Sequence, residues 1–394
     1  MFYCNEHCYN AKEIMTQKYK KKVIRISTIP MSLDVLLQGQ LRMLSEHYEV
    51  VGVSSPGADL EKVEQREGIR TIAVPMERKI APFKDLVSLF CLIRLIHREK
   101  PWMVHSITPK AGLLSMMAAW ICRVPVRVHL FTGLVFPTAT GLKQKILIAT
   151  DKLTCACATR VVPEGKGVKK DLEHYHITSK PLSVIGNGNI NGIDLEYFAR
   201  TPEVEEKAQA YRKEDTTTFC FVGRLVGDKG INELISAFTR LYQAYPHTRL
   251  LLVGPFEEKL DPVLPETKQA IDTHPGIEWV GWQGDIRPFL AASDIFVFPS
   301  YREGFPNVVI QASAMGLPCI ATDINGCNEI IEEGVSGTLI PSQNQQALYE
   351  AMKRFLDPSL RKTLSEQARP QIARRFERKA QWKELLKFYR SLEE

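Results

Sequence analysis

The chain has 394 residues, of which 44% are hydrophobic and 24% are charged, with a net charge of +6. These values predict two folded domains and exclude disordered, collagen-like and disulfide-scaffold chains. The charge is too weak to indicate nucleic-acid binding and is compatible with anionic substrates or an anionic membrane face. The longest apolar run, Ala111 to Cys122, is shorter than the ~18–20 residues that span a bilayer and predicts a buried helix.

The first half of the chain alternates short strand-like runs with helical stretches. Residues 1–22 end in a basic cluster and are predicted to be a disordered tail. The βαβ alternation that follows predicts a parallel sheet with helices on both faces, in a domain covering residues 23–195. Its predicted strands are Val23–Ile29, Val50–Val53, Thr71–Val74, Val104–His105, Val126–Leu130, Arg160–Val162 and Leu182–Ile185.

The same alternation restarts after a turn rich in glycine and asparagine, GNGNINGID at 186–194, and a charged segment at 200–215. A second domain is predicted at 196–375, followed by an amphipathic helix at 376–394 that returns to the first domain. The fold class is therefore α/β, with two doubly wound domains facing across a cleft where ligands bind at the carboxyl ends of strands. The predicted strands of the second domain are Thr217–Val222, Arg249–Val253, Ile277–Val280, Ile295–Phe298, Cys319–Ala321 and Gly337–Ile340.

The segment Phe221–Gly230 is the first one with a chemical signature. A hydrophobic strand ends at Gly223, Arg224 follows, and Lys229 opens a helix. Two cations beside a helix N-terminus make a cradle for a diphosphate, because the first N–H groups of a helix carry partial positive charge. A solvated surface turn explains the same spacing equally well.

The segment Ser300–Pro318 is the second segment with a chemical signature. Pro306 is predicted at the first helical position, where its missing N–H costs nothing. Glu303 then lies in the loop before the helix and Gln311 lies about a turn and a half inside it, so both can face a ligand at the helix start. A capped core helix is the alternative interpretation.

Together, GRL-x3-KG at 223–230, S-x2-EGFPN-x3-Q at 300–311 and Asn325–Glu329 resemble the retaining nucleotide-sugar glycosyltransferases of family 4. The resemblance runs from about residue 23 to the end and implies the GT-B fold, with two Rossmann-like domains. Upstream, His105–Gly112 and the GNGNINGID turn resemble the branch that builds bacterial capsule and O-antigen polysaccharides.

The resemblance also implies residue roles. Arg224 and Lys229 would bind the donor diphosphate and stabilise it as it leaves, and Glu303 would lie beside the donor sugar. The remaining donor-binding positions are the amides of Gly304, Phe305 and Asn307, the ribose-binding position Gln311, and the turn at Gly281–Trp282 that borders the base.

Two positions depart from the family pattern. Gln311 stands where the family usually has a second glutamate, and an amide has one acceptor oxygen where a carboxylate has two. Thr132 stands where many members carry a histidine close to the donor sugar, and His129 faces the opposite side of its strand. We therefore assign acceptor binding to His105, Lys110 and Thr132, with His105 also a catalytic candidate. A structural role for His105 is an equal alternative.

No metal and no cofactor are expected. The chain has no Asp-x-Asp sequence, and Arg224, Lys229 and a helix dipole can hold a diphosphate in place of a divalent ion. Basic residues among apolar ones predict that the first domain docks a lipid-linked acceptor at the membrane surface, although a solvated helix face has at least equal weight. The residues concerned are Arg78, Lys79, Ile80, Phe83, Lys84, Leu86, Leu89, Arg94, Arg98 and Lys100.

The resulting hypothesis is a glycosyltransferase that moves a sugar, with retention, from a UDP-hexose or UDP-HexNAc donor to a polyprenyl-diphosphate-linked or other glycan. An odd count of nine cysteines and an N-terminus without an apolar signal region predict a cytoplasmic location, or a peripheral one on the inner membrane face. Two alternatives remain: a sugar-nucleotide epimerase of the same fold, and a non-catalytic sugar-nucleotide-binding protein.

Overall fold

The computed structural model describes residues 20–77, 81–257 and 261–394. The chain divides into two compact units: one ends at Leu130 and includes Thr150–Val161, and the other consists of Phe131–Ala149 and Val162–Glu394. Arg78, Lys79, Ile80 and most of the predicted tail lie outside the described residues. The domain boundary after residue 195 and the return of the last helix to the first domain stay predictions.

The strands form two six-stranded parallel sheets within the described residues, as the βαβ alternation predicts. The first sheet has the order β3-β2-β1-β4-β5-β6 and the second has the order β12-β11-β10-β7-β8-β9. The strands are β1 (Lys22–Ile26), β2 (Glu49–Ser54), β3 (Arg70–Ala73), β4 (Met103–Ile107), β5 (Val126–Phe131), β6 (Arg160–Pro163), β7 (Thr217–Val222), β8 (Thr248–Val253), β9 (Ile277–Trp279), β10 (Ile295–Phe298), β11 (Cys319–Thr322) and β12 (Gly337–Ile340).

Helices connect the strands, and most of them begin at a sequence signal. Proline occupies an early helical position in several, and Thr201, Asn344 and Asp357 accept hydrogen bonds from the backbone N–H groups that follow them. The helices are α1 (Pro30–Leu36), α2 (Gln40–Ser45), α3 (Ala58–Glu67), α4 (Pro82–Glu99), α5 (Pro109–Ile121), α6 (Gly141–Cys157), α7 (Lys166–His174), α8 (Pro202–Gln209), α9 (Ile231–Ala244), α10 (Pro265–Thr273), α11 (Arg287–Ala291), α12 (Asn307–Ala314), α13 (Cys327–Ile330), α14 (Gln345–Arg354), α15 (Pro358–Phe376) and α16 (Arg378–Ser391).

One predicted strand is absent, and two helices were not predicted from the sequence. The run Leu182–Ile185 forms no strand in the structure, although it is β-branched. The charged segment at 200–215 contains α8, and the polar stretch before the last helix forms α15, which includes an internal proline, Pro370. Tertiary contacts override weak local preferences in such segments, because the packing of one helix face outweighs propensity.

The core of the second sheet is aromatic and aliphatic on both faces. Phe219 and Phe221 of β7 and Phe296 and Phe298 of β10 are buried, with stacked rings between Phe221 and Phe298 at a centroid distance of 6.0 Å. Because parallel strands end at the same edge of a sheet, the loops that follow β7, β8, β9 and β10 emerge together. Those loops carry the predicted donor-binding residues.

Candidate active site

The loops after β7, β8 and β9 are joined through backbone and indole hydrogen bonds. Leu225 N donates to Pro255 O at 2.9 Å, so the loop of Arg224 runs beside the loop after β8. Gly254 N in that second loop donates to Gly281 O at 2.7 Å, and Trp279 Nε1 donates to Gly254 O at 2.8 Å. The turn at Gly281–Trp282, which is predicted to border the base, therefore lies beside the loop after β8. Trp282 is exposed in this turn.

Lys229 and Glu303, which belong to different sequence motifs, form an ion pair. Their side chains are only 17% and 16% exposed, and Glu303 Oε1 also accepts a hydrogen bond from Ser300 Oγ at 2.8 Å. Backbone contacts support the pairing, because Tyr301 N donates to Asp228 O at 2.9 Å. The loop after β7 and the loop after β10 are thus held together at the predicted site.

Arg224 is more accessible than Lys229. Its side chain is 44% exposed, and its guanidinium forms an ion pair with Glu257, from the loop after β8. Arg224 and Lys229, the predicted diphosphate clamp, therefore each have a carboxylate partner, Glu257 for Arg224 and Glu303 for Lys229. The charge of the two cations is balanced within this unit of the chain.

The EGFPN segment approaches the chain that follows β5 very closely. A Cβ atom at Gly304 would overlap the carbonyl oxygen of Thr132, so this approach requires glycine. Phe305 is buried against Phe376, with ring centroids 5.5 Å apart. Thr132, a predicted acceptor-binding residue, is thereby placed next to the loop that contains Glu303.

Helix α12 begins one residue later than predicted. Pro306 has extended backbone angles and occupies the N-cap, so the first helical residue is Asn307. The first N–H groups of this helix have no partner inside it, which is the usual condition for binding an anion. Gln311 is half-buried in α12, and its amide makes no hydrogen bond to the part of the chain that the structure describes.

His105 does not lie where the sequence places it. Strand β4 continues two residues beyond His105, and the side chain is fully buried, so desolvation lowers its pKa well below the ordinary value. A neutral imidazole enclosed by the sheet has no surface for a ligand, and the structural interpretation of His105 is the one that fits. His129 is also buried: its Nδ1 is 2.8 Å from Ser106 Oγ, and burial lowers its pKa to about 3.

Lys110 lies in the first turn of α5. Its Nζ is 2.7 Å from Asp85 Oδ1, and both side chains are largely buried. The ammonium is therefore held against α4 through an ion pair. Its predicted contact with an acceptor stays a prediction.

Two carboxylates outside the set of predicted site residues border the same loops. Glu329 accepts hydrogen bonds from Lys166 N at 2.6 Å and Gly167 N at 2.8 Å, at the N-terminus of α7. Glu164 is 6% exposed and accepts from Ile190 N at 3.1 Å. Burial raises the pKa of Glu164 to about 8, and the negative charges of Glu329 and Glu303 add to the effect.

A sequence signal for these residues exists. Glu164 directly follows β6, and Glu329 closes the motif Asn325–Glu329. The rule that polar groups at the ends of parallel strands are functional candidates applies to Glu164 as well as to Arg224.

Residues 20–77, 81–257 and 261–394 contain no group of three or more His, Cys, Asp or Glu side chains arranged to hold a metal ion. Across the same residues, no helix combines the length and the apolar composition that crossing a membrane requires. Cys155 and Cys157 are both buried in α6.

Comparison with known proteins agrees with the fold. Residues 37–188 match the glycosyl transferase 4-like domain, and residues 216–358 match the glycosyl transferases group 1 family. The capsular polysaccharide biosynthesis glycosyltransferase CapM of Staphylococcus aureus is 33% identical over 387 residues, covering 94% of this chain and 97% of CapM. The chain belongs to the family-4 glycosyltransferases and has the GT-B fold.

A second relative and one solved structure are informative. The UDP-Gal:alpha-D-GlcNAc-diphosphoundecaprenol alpha-1,3-galactosyltransferase of Escherichia coli is 30% identical over 326 residues, covering 79% of this chain and 81% of that enzyme. The crystal structure of Anabaena Alr3699/HepE in complex with UDP and glucose superposes with a TM-score of 0.81 at 18% identity, covering 94% of this chain and all of that one. At that identity the structural likeness concerns the fold.

The buried carboxyl of Glu164 predicts a pH dependence of stability. Its folded pKa of about 8 exceeds the ordinary 4.5, so between these values the folded state holds a proton that the unfolded state has released. Stability is therefore lost as pH rises through this window, by up to ~1.4 kcal/mol per pH unit. We expect Glu164→Gln, which mimics the protonated form, to gain stability relative to the wild type between pH 5 and 8 in urea denaturation. Glu173→Gln, at an exposed glutamate of α7, is the control, and parallel profiles for Glu164→Gln and the wild type would contradict the assignment.

Proposed function

We propose that this glycosyltransferase moves a sugar from a UDP-linked donor, with retention of anomeric configuration, to a glycan carried on a polyprenyl diphosphate. The observation that carries the proposal is the Lys229–Glu303 pair at the start of α12, beside the loop of Arg224. The E. coli relative is named for a UDP-galactose donor and a diphosphoundecaprenol acceptor, which supports the same substrate classes here. The S. aureus relative supports a place in surface polysaccharide synthesis.

In this proposal the donor diphosphate exchanges partners with the carboxylates that neutralise the cations. Arg224 leaves Glu257 and Lys229 shares its charge between Glu303 and the phosphates. The free N–H groups at the start of α12 add partial positive charge, and the backbone amides of Gly304 and Phe305 lie in the loop leading to it. Gln311 faces the ribose, and the turn of Gly281 and Trp282 borders the base.

The chemistry then needs no metal ion. The bond between the anomeric carbon and the diphosphate breaks as negative charge grows on the leaving phosphate, and the cations stabilise that charge in the transition state. The acceptor hydroxyl arrives on the face that the diphosphate leaves, and a leaving phosphate oxygen takes its proton. Glu303 lies beside the sugar, where its negative charge stabilises an oxocarbenium-like carbon.

A transfer assay with product analysis tests the function. The full-length protein is incubated with UDP-hexoses and UDP-HexNAc and with short polyprenyl-diphosphate glycans, and the anomeric proton of the product is examined by NMR. Retention of the donor configuration is expected, and inversion would contradict the mechanism. Formation of an epimer without acceptor would favour the epimerase, and neither transfer nor donor hydrolysis across the panel would favour a non-catalytic binding protein.

We also propose that α4 docks the protein on an anionic membrane face. Phe83, Leu86, Val87 and Phe90 are exposed at spacings that share one side of the helix, and Arg94 is exposed one turn further on. Apolar side chains next to cations suit the boundary of an anionic bilayer, where each cation contributes ~1 kcal/mol. A lipid-linked acceptor would be met at that surface.

Vesicle flotation tests this docking. The wild type is expected to bind anionic vesicles more strongly than zwitterionic ones, and a Phe83→Ser/Phe90→Ser variant to lose most of that binding because its apolar contact is removed. Leu264→Ser, at an exposed leucine beside α10, is the control. Equal flotation of the wild type and the double variant would mean that α4 is an ordinary solvated helix.

Removal of either clamp cation tests the diphosphate assignment. Arg224→Ala and Lys229→Ala each remove a charge-assisted contact that strengthens as the diphosphate departs, so kcat is expected to fall ~10²–10³-fold along with donor affinity. Arg240→Ala, at an exposed arginine on α9, should leave both unchanged. Steady-state kinetics provides the measurement, and turnover within threefold of the wild type in either clamp variant would refute the assignment.

Gln311 is expected to contact the ribose. Gln311→Ala should weaken UDP binding about fivefold, because a neutral hydrogen bond contributes ~1 kcal/mol. Gln311→Glu should bind UDP as well as the wild type or modestly better, since a second acceptor offsets screened repulsion from the phosphates. Calorimetry measures both, with Gln269→Ala on α10 as the control; undiminished binding by Gln311→Ala would exclude the ribose contact.

A further inference from the structure

The GNGNINGID turn packs against the loop that leads into α12. Gly188 has a φ of +90°, and a Cβ atom there would lie 2.8 Å from Cε2 of Phe305. The next residue, Asn189, donates from Nδ2 to Oδ1 of Asn307 at 2.6 Å. The turn is therefore a support for the first residue of α12, in addition to connecting two parts of the chain.

Every polar group of Asn189 has a defined partner. The residue is 2% exposed and has a φ of +64°, a left-handed conformation that asparagine tolerates better than most residues. Its backbone N–H donates to Glu164 O at 3.1 Å, and its carbonyl accepts from Gln381 Nε2 at 2.7 Å. Its Oδ1 accepts from the backbone N–H groups of Asn191 at 3.1 Å and Gly192 at 2.7 Å.

These contacts set the orientation of the Asn189 amide. Rotation of the amide by 180° would place its NH2 group against the two N–H donors of Asn191 and Gly192, which is repulsive. The NH2 group of Asn189 must therefore face Asn307, and Asn307 must accept the hydrogen bond with its Oδ1 atom. The orientation of one buried amide thus determines the orientation of the next.

As a consequence, Asn307 presents its own NH2 group away from Asn189. Asn307 is partly exposed at the first position of α12, and its Nδ2 has no acceptor in the described part of the chain. The same helix end offers N–H groups without intrahelical partners. A ligand at this point meets hydrogen-bond donors from both the backbone and the side chain.

We propose that Asn189 is a positioning residue that holds the Asn307 amide with its NH2 group toward the second phosphate of the nucleotide sugar's diphosphate. The inference rests on the proposed function, because it needs a diphosphate at the start of α12. It adds a side-chain donor to the site and gives the GNGNINGID turn a role in donor binding.

Asn189→Asp is the decisive variant. The introduced carboxylate can still accept from Asn191 and Gly192, but its second oxygen faces Asn307 and can only accept. Asn307 then turns its NH2 group toward that carboxylate and its oxygen toward the diphosphate. We expect the dissociation constant for UDP to rise about 10- to 100-fold in calorimetry, in line with the loss of a hydrogen bond to a charged group. UMP, which lacks the second phosphate, should be affected less than threefold.

A double-variant cycle separates positioning from a general structural effect. In an Asn307→Ala background the proposed path is absent, so Asn189→Asp should change UDP affinity by less than twofold. Asn187→Asp is the matched control, because it places the same charge in the same turn, where Asn187 Nδ2 bonds to Arg375 O at 3.0 Å. Asn307→Asp, which leaves Asn189 intact, covers the case in which Asn189→Asp fails to fold, and it should weaken UDP binding more than UMP binding.

The outcomes distinguish the inference from the function on which it rests. Equal losses of UDP and UMP affinity in Asn189→Asp, an undiminished effect in the Asn307→Ala background, or unchanged UDP binding in Asn307→Asp would overturn the positioning role while leaving the proposed function in place. A wild-type protein that binds neither UDP nor UMP would overturn both.

Discussion

The ion pair between Lys229 and Glu303 is the interaction on which the arrangement of the site depends. It joins the loop after β7 to the loop after β10, and both side chains are largely withdrawn from water. Removing one partner of such a pair leaves a charge without compensation in a poorly solvated place, which costs far more than breaking a surface pair. Ser300 and the backbone of Asp228 and Tyr301 reinforce the contact, so the two loops form one charged surface.

Three glutamates near this surface meet the cost of burial in three ways. Glu303 has an ammonium partner, and Glu329 receives the first N–H groups of α7, where the helix dipole favours a negative charge. Glu164 has one backbone N–H and two negative neighbours, so its carboxyl keeps its proton near neutral pH. For a buried carboxyl group without a cationic partner, the protonated form has the lowest free energy.

Local patterns predicted most strands because buried parallel strands read as short β-branched and aromatic runs. The predicted bounds are those observed for β7, β10 and β12. The two motifs that contain Lys229 and Glu303 can also be recognised in the sequence. The failures lie where a local pattern is ambiguous. Leu182–Ile185 has strand composition but forms only a single bridge, at Leu182. Helix α15 is polar with an internal proline, so it depends on packing along part of one face.

The sequence by itself determined the fold class, the order of the motifs and the residue types that a diphosphate requires, because these are written in spacings of a few residues. Only the tertiary structure decided which distant residues meet. Lys229 and Glu303 are 74 positions apart and meet because β7 and β10 are neighbours in the second sheet. Asn189 and Asn307 are 118 positions apart and meet because the GNGNINGID turn packs against the loop that leads into α12. Burial is decided in the same way, since it depends on every element packed around a residue. His105 was therefore an open candidate in the sequence and is an enclosed, neutral side chain in the structure, because its strand lies inside the sheet with β1 and β5 on either side.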